Sequence, residues 1–328
     1  MAPGSLIGFA LVFFFCTWAA SIVAGFGLRF SKRRLRQLGA GAEKRAAALA
    51  LIVPPLLGGT VALALAGFSF VAPWYGLSDH CGTHGHHIHL CLLHGGEWAE
   101  LPWAVSLISA LAAILLVRLA RLAEAMWRAR QRLRIVEQSS TRISASGPPV
   151  FLAPSEQSFC FVAGVRTPRI YVSESLWSRQ SSDEREAMLE HERAHVRNGD
   201  LWRSIVLSAF ALLGAPLVAA RCRGLWSDAT ERFCDRLAAD QTGDTEAVAS
   251  ALLNMVRGQR LRGALAFLHR PESVKDRVVA VLSIERTGQR AAARIGWGAA
   301  GVVSVAAIAT GALADPLHHI LETFFSLI

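Results

Sequence analysis

The sequence predicts a mainly α-helical integral membrane protein with about four transmembrane helices and one cytoplasmic α+β domain. Its 328 residues are 52% hydrophobic and only 18% charged, whereas ordinary soluble domains carry about 25% charged residues. Four apolar runs are each close to the roughly 20 residues that a helix needs to cross the hydrocarbon core. These runs lie at about 5–28, 46–71, 98–117 and 295–314.

The basic residues predict the orientation of these helices. All 34 Lys and Arg fall within 29–45 and 118–294, and the positive-inside rule places both blocks in the cytoplasm. The N-terminus, the 72–101 segment and the tail are then outside an inner (cytoplasmic) membrane. The first run is not expected to be a cleaved signal peptide, because its positive charge follows the apolar core.

The same boundaries divide the chain into three parts. Residues 1–142 form a three-helix transmembrane region with a basic cytoplasmic loop (29–45) and a His-rich outer loop (72–101). Residues 143–294 form the cytoplasmic domain, in which short strands are expected at 150–152, 158–162 and 169–172, followed by helices. Residues 295–328 contain the final span and a short outer tail.

The net charge of +9 does not by itself indicate a nucleic-acid-binding protein. The arginines of 118–142 read as a basic continuation of the third span, and we expect them at the anionic surface of the lipid bilayer. No recognised nucleic-acid-binding motif accompanies this charge, so no direct nucleic-acid binding is expected.

The segment EAMLEHERAHVRNGD contains an HExxH motif, formed by His191, Glu192 and His195. Ser181 and Glu184 predict a capping box that opens a helix here. Positions i and i+4 share one helix face, so both imidazoles can bind one Zn²⁺. Glu192 can then act as the general base that takes a proton from the attacking water. HExxH is only moderately specific, and the alternative is a charged, solvated helix surface.

A hydrolytic zinc site also needs a third protein ligand. Glu231 lies 36 residues beyond His195, in the segment WSDATERFCDRLAAD, and Asp235 follows it at i+4. One helix face could therefore offer Glu231 to zinc and Asp235 to the far nitrogen of a ligand histidine. Alone, the pair would be an ordinary acidic helix face, but the upstream HExxH favours the metal site.

These residues resemble the membrane-embedded gluzincin metallopeptidases, and most of all the BlaR/MecR-type family. The resemblance rests on HExxH followed by Asp200, then ExxxD with a cysteine before the aspartate. It implies a gluzincin-like zinc peptidase domain and a substrate backbone held by an edge strand near 159–162. It also implies the following roles: zinc ligands His191, His195 and Glu231, general base Glu192, and supporting carboxylates Asp235 and Asp200.

The sequence departs from the best-known members of that family. Those carry a penicillin-binding sensor domain after the last span, whereas only 14 residues follow Ala314 here. We therefore do not expect this chain to sense β-lactams. The HtpX/prenyl-protease type shares HExxH and the ExxxD helix, and it serves membrane protein quality control or processing. His269, Arg270 and Pro271, followed by Arg277, resemble its late His/Arg element, which makes Arg277 a candidate for contacting the transition state.

A fifth apolar run, 205–220, lies between the HExxH helix and Glu231. If it crossed the membrane, Glu231 would be on the opposite side from the two histidines. The run is short and contains Gly214 and Pro216, so we interpret it as a re-entrant or membrane-dipping hairpin whose backbone is shielded by protein.

The outer loop contains a cluster of potential metal ligands with no Lys or Arg among them. Imidazole and thiolate suit Zn, Cu or Ni, although the spacing fits no single recognised site. Two alternatives remain open, a disulfide between the two cysteines and a pH-responsive loop. The residues concerned are His80, Cys81, His84, His86, His87, His89, Cys91 and His94.

The leading hypothesis is an integral-membrane zinc endopeptidase that cleaves a cytoplasmic or membrane protein. It would act as a signal-transducing antirepressor, with a cytoplasmic transcriptional repressor as substrate, in response to an outer metal or an envelope signal. Two alternatives remain: a constitutive HtpX-like quality-control protease, and a metal-binding receptor with an inactive peptidase site.

Overall fold

The computed structural model describes residues 3–71, 98, 101–144, 147–259, 271–283 and scattered positions between 295 and 309. Three of its helices are long and apolar enough to cross a membrane: α1 (Pro3–Leu38), α2 (Ala40–Val71) and α3 (Pro102–Ser139). The fourth expected span, 295–314, lies largely outside the described residues. The candidate ligands between 80 and 94 lie entirely outside them.

Helices α1 and α2 are joined by a single residue, Gly39. Its φ of 103° lies in the left-handed region, which glycine adopts without a steric penalty. The basic block 29–45 was expected to be a loop, but it is helical on both sides of this turn. Lys and Arg are good helix formers, so the basic composition that marks the membrane side does not interrupt the helices.

A four-stranded sheet follows α3. Its strands are β1 (Thr141–Ser144), β2 (Val150–Ala153), β3 (Cys160–Ala163) and β4 (Arg169–Ser173), in the order β1-β2-β4-β3. Strands β2 and β4 are parallel and the other pairs are antiparallel. The three strands predicted from sequence correspond to β2, β3 and β4. Strand β3 lies at one edge of the sheet, as the expected substrate strand must.

One face of the sheet packs on the helix that carries the HExxH motif. Val150, Ile170 and Val172 are buried against Met188 and Leu189 of that helix. The remaining helices are α4 (Glu174–Trp177), α5 (Ser182–Arg197), α6 (Asp200–Leu213), α7 (Pro216–Thr242), α8 (Thr245–Gln259) and α9 (Pro271–Leu282).

The predicted capping box opens helix α5. The Ser181 hydroxyl accepts from the Glu184 N–H, and the Glu184 carboxylate accepts from the Ser181 N–H. At the other end, Gly199 adopts a φ of 62° and turns the chain into α6. The two ends fix the direction in which α5 presents its motif.

Helices α6 and α7 form a hairpin that contains the fifth apolar run, 205–220. The chain turns at Gly214 and Ala215, and α7 begins with a proline, which suits the first helical turn. Arg223 of α7 donates from Nη1 to the carbonyl of Ser204 on α6 at 2.9 Å. Because the chain turns back, α7 returns to the helix that carries the two histidines.

The tip of this hairpin is held by α1 and α3. Trp18 of α1 donates from Nε1 to the carbonyl of Leu213 at 3.1 Å. Arg118 of α3 donates from Nη1 to the carbonyl of Gly214 at 2.8 Å, and its Nη2 donates to the carbonyl of Ala211. These three carbonyls are at the end of α6, where no further helical turn can bond them.

Candidate metal centre

Helix α5 presents the two motif histidines side by side. His191 and His195 lie one turn apart, and their Nε2 atoms are 3.2 Å apart. The rings stand edge to face, with an interplanar angle of 79°. Both imidazoles therefore direct the same nitrogen to one point on the helix face, as the i, i+4 spacing predicts.

Helix α7 brings Glu231 to the same point. Its Oε2 lies 3.5 Å from His191 Nε2, and its Oε1 lies 3.6 Å from His195 Nε2. Tetrahedral ligands at the zinc bond lengths usual in proteins stand about 3.3 Å from one another. Two imidazole nitrogens and one carboxylate at these separations fit a zinc ion with little movement.

The opposite nitrogen of each histidine faces a buried carboxylate. His191 Nδ1 lies 2.8 Å from Asp235 Oδ1, and His195 Nδ1 lies 3.1 Å from Asp200 Oδ2. A carboxylate behind the ligand imidazole fixes the ring orientation and the tautomer in many metal sites. The structure thus puts Asp235 and Asp200 where the family resemblance implies support for the histidines.

Arg277 of α9 lies behind the acidic residues. Its Nη1 is 3.1 Å from Glu231 Oε2, while its Nε and Nη2 each bond an oxygen of Asp235 at 2.7 Å. All three guanidinium nitrogens therefore contact the carboxylates of α7. These contacts support a role in orienting Glu231 and Asp235, and the expected contact with a transition state stays a prediction.

The charges at this cluster favour a cation. Burial disfavours an ionised His191, yet Asp235 and Glu231 outweigh this effect and raise the pKa of the imidazole to about 10. Burial also opposes ionisation of Asp235, but Arg277 and His191 lower its pKa to about 2. Burial likewise opposes ionisation of Glu231, but Arg277 and the histidines hold its pKa well below the usual value. Glu231 is thus ionised, as a carboxylate ligand must be, whereas His191 must give up its proton when a metal binds.

Glu192, the expected general base, is buried and lies beside the edge strand β3. Burial raises the pKa of the Cys160 thiol well above its usual value, and the Glu192 carboxylate, which interacts with this thiol, raises it further. Cys160 is the first residue of β3. The structure therefore brings the expected substrate strand, 159–162, and the expected general base to the same place.

A second group of potential ligands overlaps the first. His195, Asp200 and Cys234 lie close enough to share an ion. However, the Nζ of Lys44 is 2.6 Å from Asp200 Oδ1. An ammonium group at this distance repels another cation, so these residues support the first site and do not form a second one.

Sequence reasoning missed the residues that reach this centre from α2. Besides Lys44 on Asp200, Glu43 contacts the guanidinium of Arg232, the neighbour of Glu231. Lys44 is indistinguishable by sequence from the other basic residues of 29–45. The sequence does mark Glu43 as unusual, because it is the only Asp or Glu among residues 1–78.

Comparison with known proteins agrees with the geometry. The protease HtpX homolog of Syntrophobacter fumaroxidans (strain DSM 10017 / MPOB) is 36% identical over 94 residues. That match covers 28% of this chain and 32% of the relative, so the chain spans about a third of that protein's length. No solved structure matches the chain.

The family described as BlaR1 peptidase M56 matches residues 98–281, more than half of the chain. The matched region contains both histidines, Glu231, Asp235 and Arg277. Of the three helices suited to a membrane, the match contains α3, and α1 and α2 precede it. The chain belongs to the BlaR1 peptidase M56 family of membrane peptidases.

Proposed function

We propose that this chain is a membrane zinc endopeptidase that hydrolyses peptide bonds of a cytoplasmic or membrane protein. One observation carries the proposal. His191, His195 and Glu231 each offer a ligand atom within 4.8 Å of the others, and Glu192 is adjacent on α5. This combination suits metal-assisted hydrolysis, in which three protein ligands leave one position open.

The chemistry follows from the roles of these side chains. A zinc ion held by His191, His195 and Glu231 would supply Lewis acidity and make water a better nucleophile at neutral pH. Glu192 takes the proton from the attacking water on its carboxylate and later returns it to the leaving amine. Asp235, Asp200 and Arg277 hold the ligands in place through the contacts described above.

Strand β3 is proposed to align the substrate. Among the residues that the structure describes, it pairs only with β4, so its other edge offers backbone groups to an extended peptide. Its first residue, Cys160, interacts with Glu192. A peptide lying along this edge would pass the general base.

The site is proposed to lie at the cytoplasmic surface of the inner membrane. The basic block 29–45 supports this orientation through the positive-inside rule. The hairpin tip accepts a hydrogen bond from Trp18. Trp18 lies ten residues before Leu28, the end of the first apolar run, and ten helical residues span about 15 Å. That is about half the thickness of the hydrocarbon. Leu217, near the tip, is 77% exposed and would face lipid.

Two physiological roles fit this chemistry. The family supports a signal-transducing antirepressor that cleaves a cytoplasmic transcriptional repressor when an outer metal or envelope signal arrives. The similarity to a protease HtpX homolog supports constitutive quality control of membrane proteins. The bilayer and a protein substrate are the proposed partners in both roles, and direct binding of nucleic acid by this chain is not part of the proposal.

The test compares new protein N-termini in cells that carry the wild type or Glu192→Gln, with and without added Zn or Cu. A control variant, Glu186→Gln, changes an exposed glutamate on the same helix. We expect a cleavage that requires Glu192 and not Glu186. Metal dependence of that cleavage supports the antirepressor role, and its absence supports quality control. If no terminus depends on Glu192, the peptidase is excluded and a metal-binding receptor is the better description.

A further inference from the structure

Two adjacent and oppositely charged residues are buried at the start of α2. Glu43 is 3% exposed and Lys44 is 7% exposed, although both lie in the block that marks the basic side of the membrane helices. Lys and Glu are almost never this buried unless they are paired. We call these two residues the α2 charge pair. Each contacts an oppositely charged residue of another helix at the metal centre.

Lys44 reaches the metal centre through Asp200. Its Nζ lies 2.6 Å from Asp200 Oδ1, and the other oxygen of that carboxylate lies 3.1 Å from His195 Nδ1. One buried carboxylate thus joins the ammonium of α2 to a metal-binding imidazole of α5. Lys44 also lies over the ring of Phe233 on α7, 5.1 Å from the centroid.

Glu43 reaches the centre from the next position of the same helix. Its Oε2 contacts Nη2 of Arg232, and both side chains are less than one-tenth exposed. Arg232 directly follows Glu231 in α7. In the α2 charge pair, Glu43 therefore holds α7 next to the proposed ligand Glu231. Lys44 holds Asp200 behind the proposed ligand of α5.

We propose that Lys44 is a positioning residue of the metal centre, and that the α2 charge pair links the position of α2 to the affinity for zinc. The inference rests on the proposed zinc site. Lys44 fixes the orientation of Asp200, which in turn fixes the orientation of the His195 ring. Residues that orient a ligand from behind change metal affinity by about 10–100-fold when they are replaced.

The linkage works in both directions. If contact between the α2 charge pair and the metal centre raises the affinity for zinc, bound zinc must stabilise that position of α2 by the same factor. A displacement of α2 in the membrane would then release the metal ligands. Loss of zinc would correspondingly expose Lys44.

The first experiment measures zinc affinity by competition with a chelator, on the full-length protein in lipid nanodiscs. Lys44→Met is expected to lower the affinity about 10–100-fold, and Lys44→Arg to restore most of it. Arg45→Met is the matched control, because Arg45 is the exposed neighbour and the charge change is identical. Equal affinities of Lys44→Met and Arg45→Met would overturn the proposal.

The second experiment needs no variant and remains decisive if Lys44→Met does not fold. The chain has three lysines, Lys32, Lys44 and Lys275, of which only Lys44 is buried. Amine acylation of the wild type is followed by mass spectrometry with zinc bound and after chelation. Acylation of Lys44 is expected to accelerate on chelation, while that of Lys32 and Lys275 stays constant. An unchanged Lys44 rate refutes the linkage.

A further variant separates failure of this inference from failure of the proposed function. His195→Ala removes a proposed ligand and is expected to lose high-affinity zinc. If the wild type and His195→Ala bind zinc equally, the proposed metal site is wrong. If they differ while Lys44→Met binds like the wild type, only the positioning role of Lys44 is wrong.

Discussion

Arg277 bonds both carboxylate oxygens of Asp235, from Nε to Oδ2 and from Nη2 to Oδ1, each at 2.7 Å. The two residues lie on different helices, α9 and α7, and both side chains are almost completely buried. A guanidinium is the one side chain that presents parallel donors to a carboxylate in this way. The geometry of the metal centre therefore depends on α9 as well as on the helices that carry the ligands.

Replacement of Arg277 is expected to be strongly destabilising. Arg277→Leu leaves the buried charge of Asp235 without its guanidinium partner, which costs about 3–5 kcal/mol of the free energy of unfolding. Arg277→Lys keeps the charge but not the paired donors, so a smaller loss is expected. Urea unfolding measures both, with Lys275→Leu, an exposed residue of the same helix, as the control. A loss in Arg277→Leu no larger than in the control would contradict this assignment.

Asp235→Asn is expected to weaken zinc binding about 10–100-fold, because His191 loses the carboxylate that orients its ring. Asp240→Asn provides the comparison, since Asp240 lies on the same helix with a side chain that is 43% exposed. Chelator competition gives both affinities. Unchanged affinity in Asp235→Asn would show that the contact at His191 Nδ1 does not support metal binding.

The metal-stripped protein should lose stability in acid through Asp235. Its pKa is lowered to about 2 in the fold, mainly by Arg277 against the effect of burial, from about 3.9 in an unfolded chain. The resulting stabilisation, about 2 kcal/mol, is present above pH about 4 and is lost as the pH falls through about 2. Urea unfolding of the wild type and Asp235→Asn across this range measures it. The two proteins should differ in the slope of stability against pH, and identical slopes would disprove the assignment.

Arg118→Leu tests the hairpin tip. The substitution leaves the carbonyls of Ala211 and Gly214 without their donor in apolar surroundings, and each unmade bond of this kind costs about 1–3 kcal/mol. We expect a lower unfolding temperature and weaker zinc binding, since the hairpin carries α7. Arg121→Leu, an exposed neighbour on α3, should leave both unchanged. Equal effects of the two variants would mean that Arg118 acts only through its charge.

The site could be predicted from sequence where its geometry is local. The spacing of His191 and His195 and the capping box at Ser181 specify one helix face without reference to the rest of the fold. Glu231 required a longer argument, in which the 205–220 run had to turn back. The chain does so at Gly214 and Ala215, where the glycine and the following proline suit a turn.

The remaining features depend on tertiary contacts that leave little trace in the sequence. The sequence does not predict strand β1, because three of its four residues are exposed and show no alternation. In the sequence Lys44 indicates only the cytoplasmic side, since the burial of one residue cannot be read from a basic run. Arg277 was recognised by resemblance, but its orientation toward α7 could be seen only in the structure.

Helix α2 is continuous and is joined to α1 by Gly39 alone. The rotation of α2 about its own axis therefore determines whether Lys44 can reach the metal centre. Between Lys44 and the apolar part of α2 there is no loop to absorb a change of length. One alanine inserted after Ala46 would rotate everything beyond it by about 100° relative to Lys44. Four inserted residues would return it to within about 40°. Zinc binding should therefore vary with the period of a helix as residues are added, and should tolerate four better than one or two.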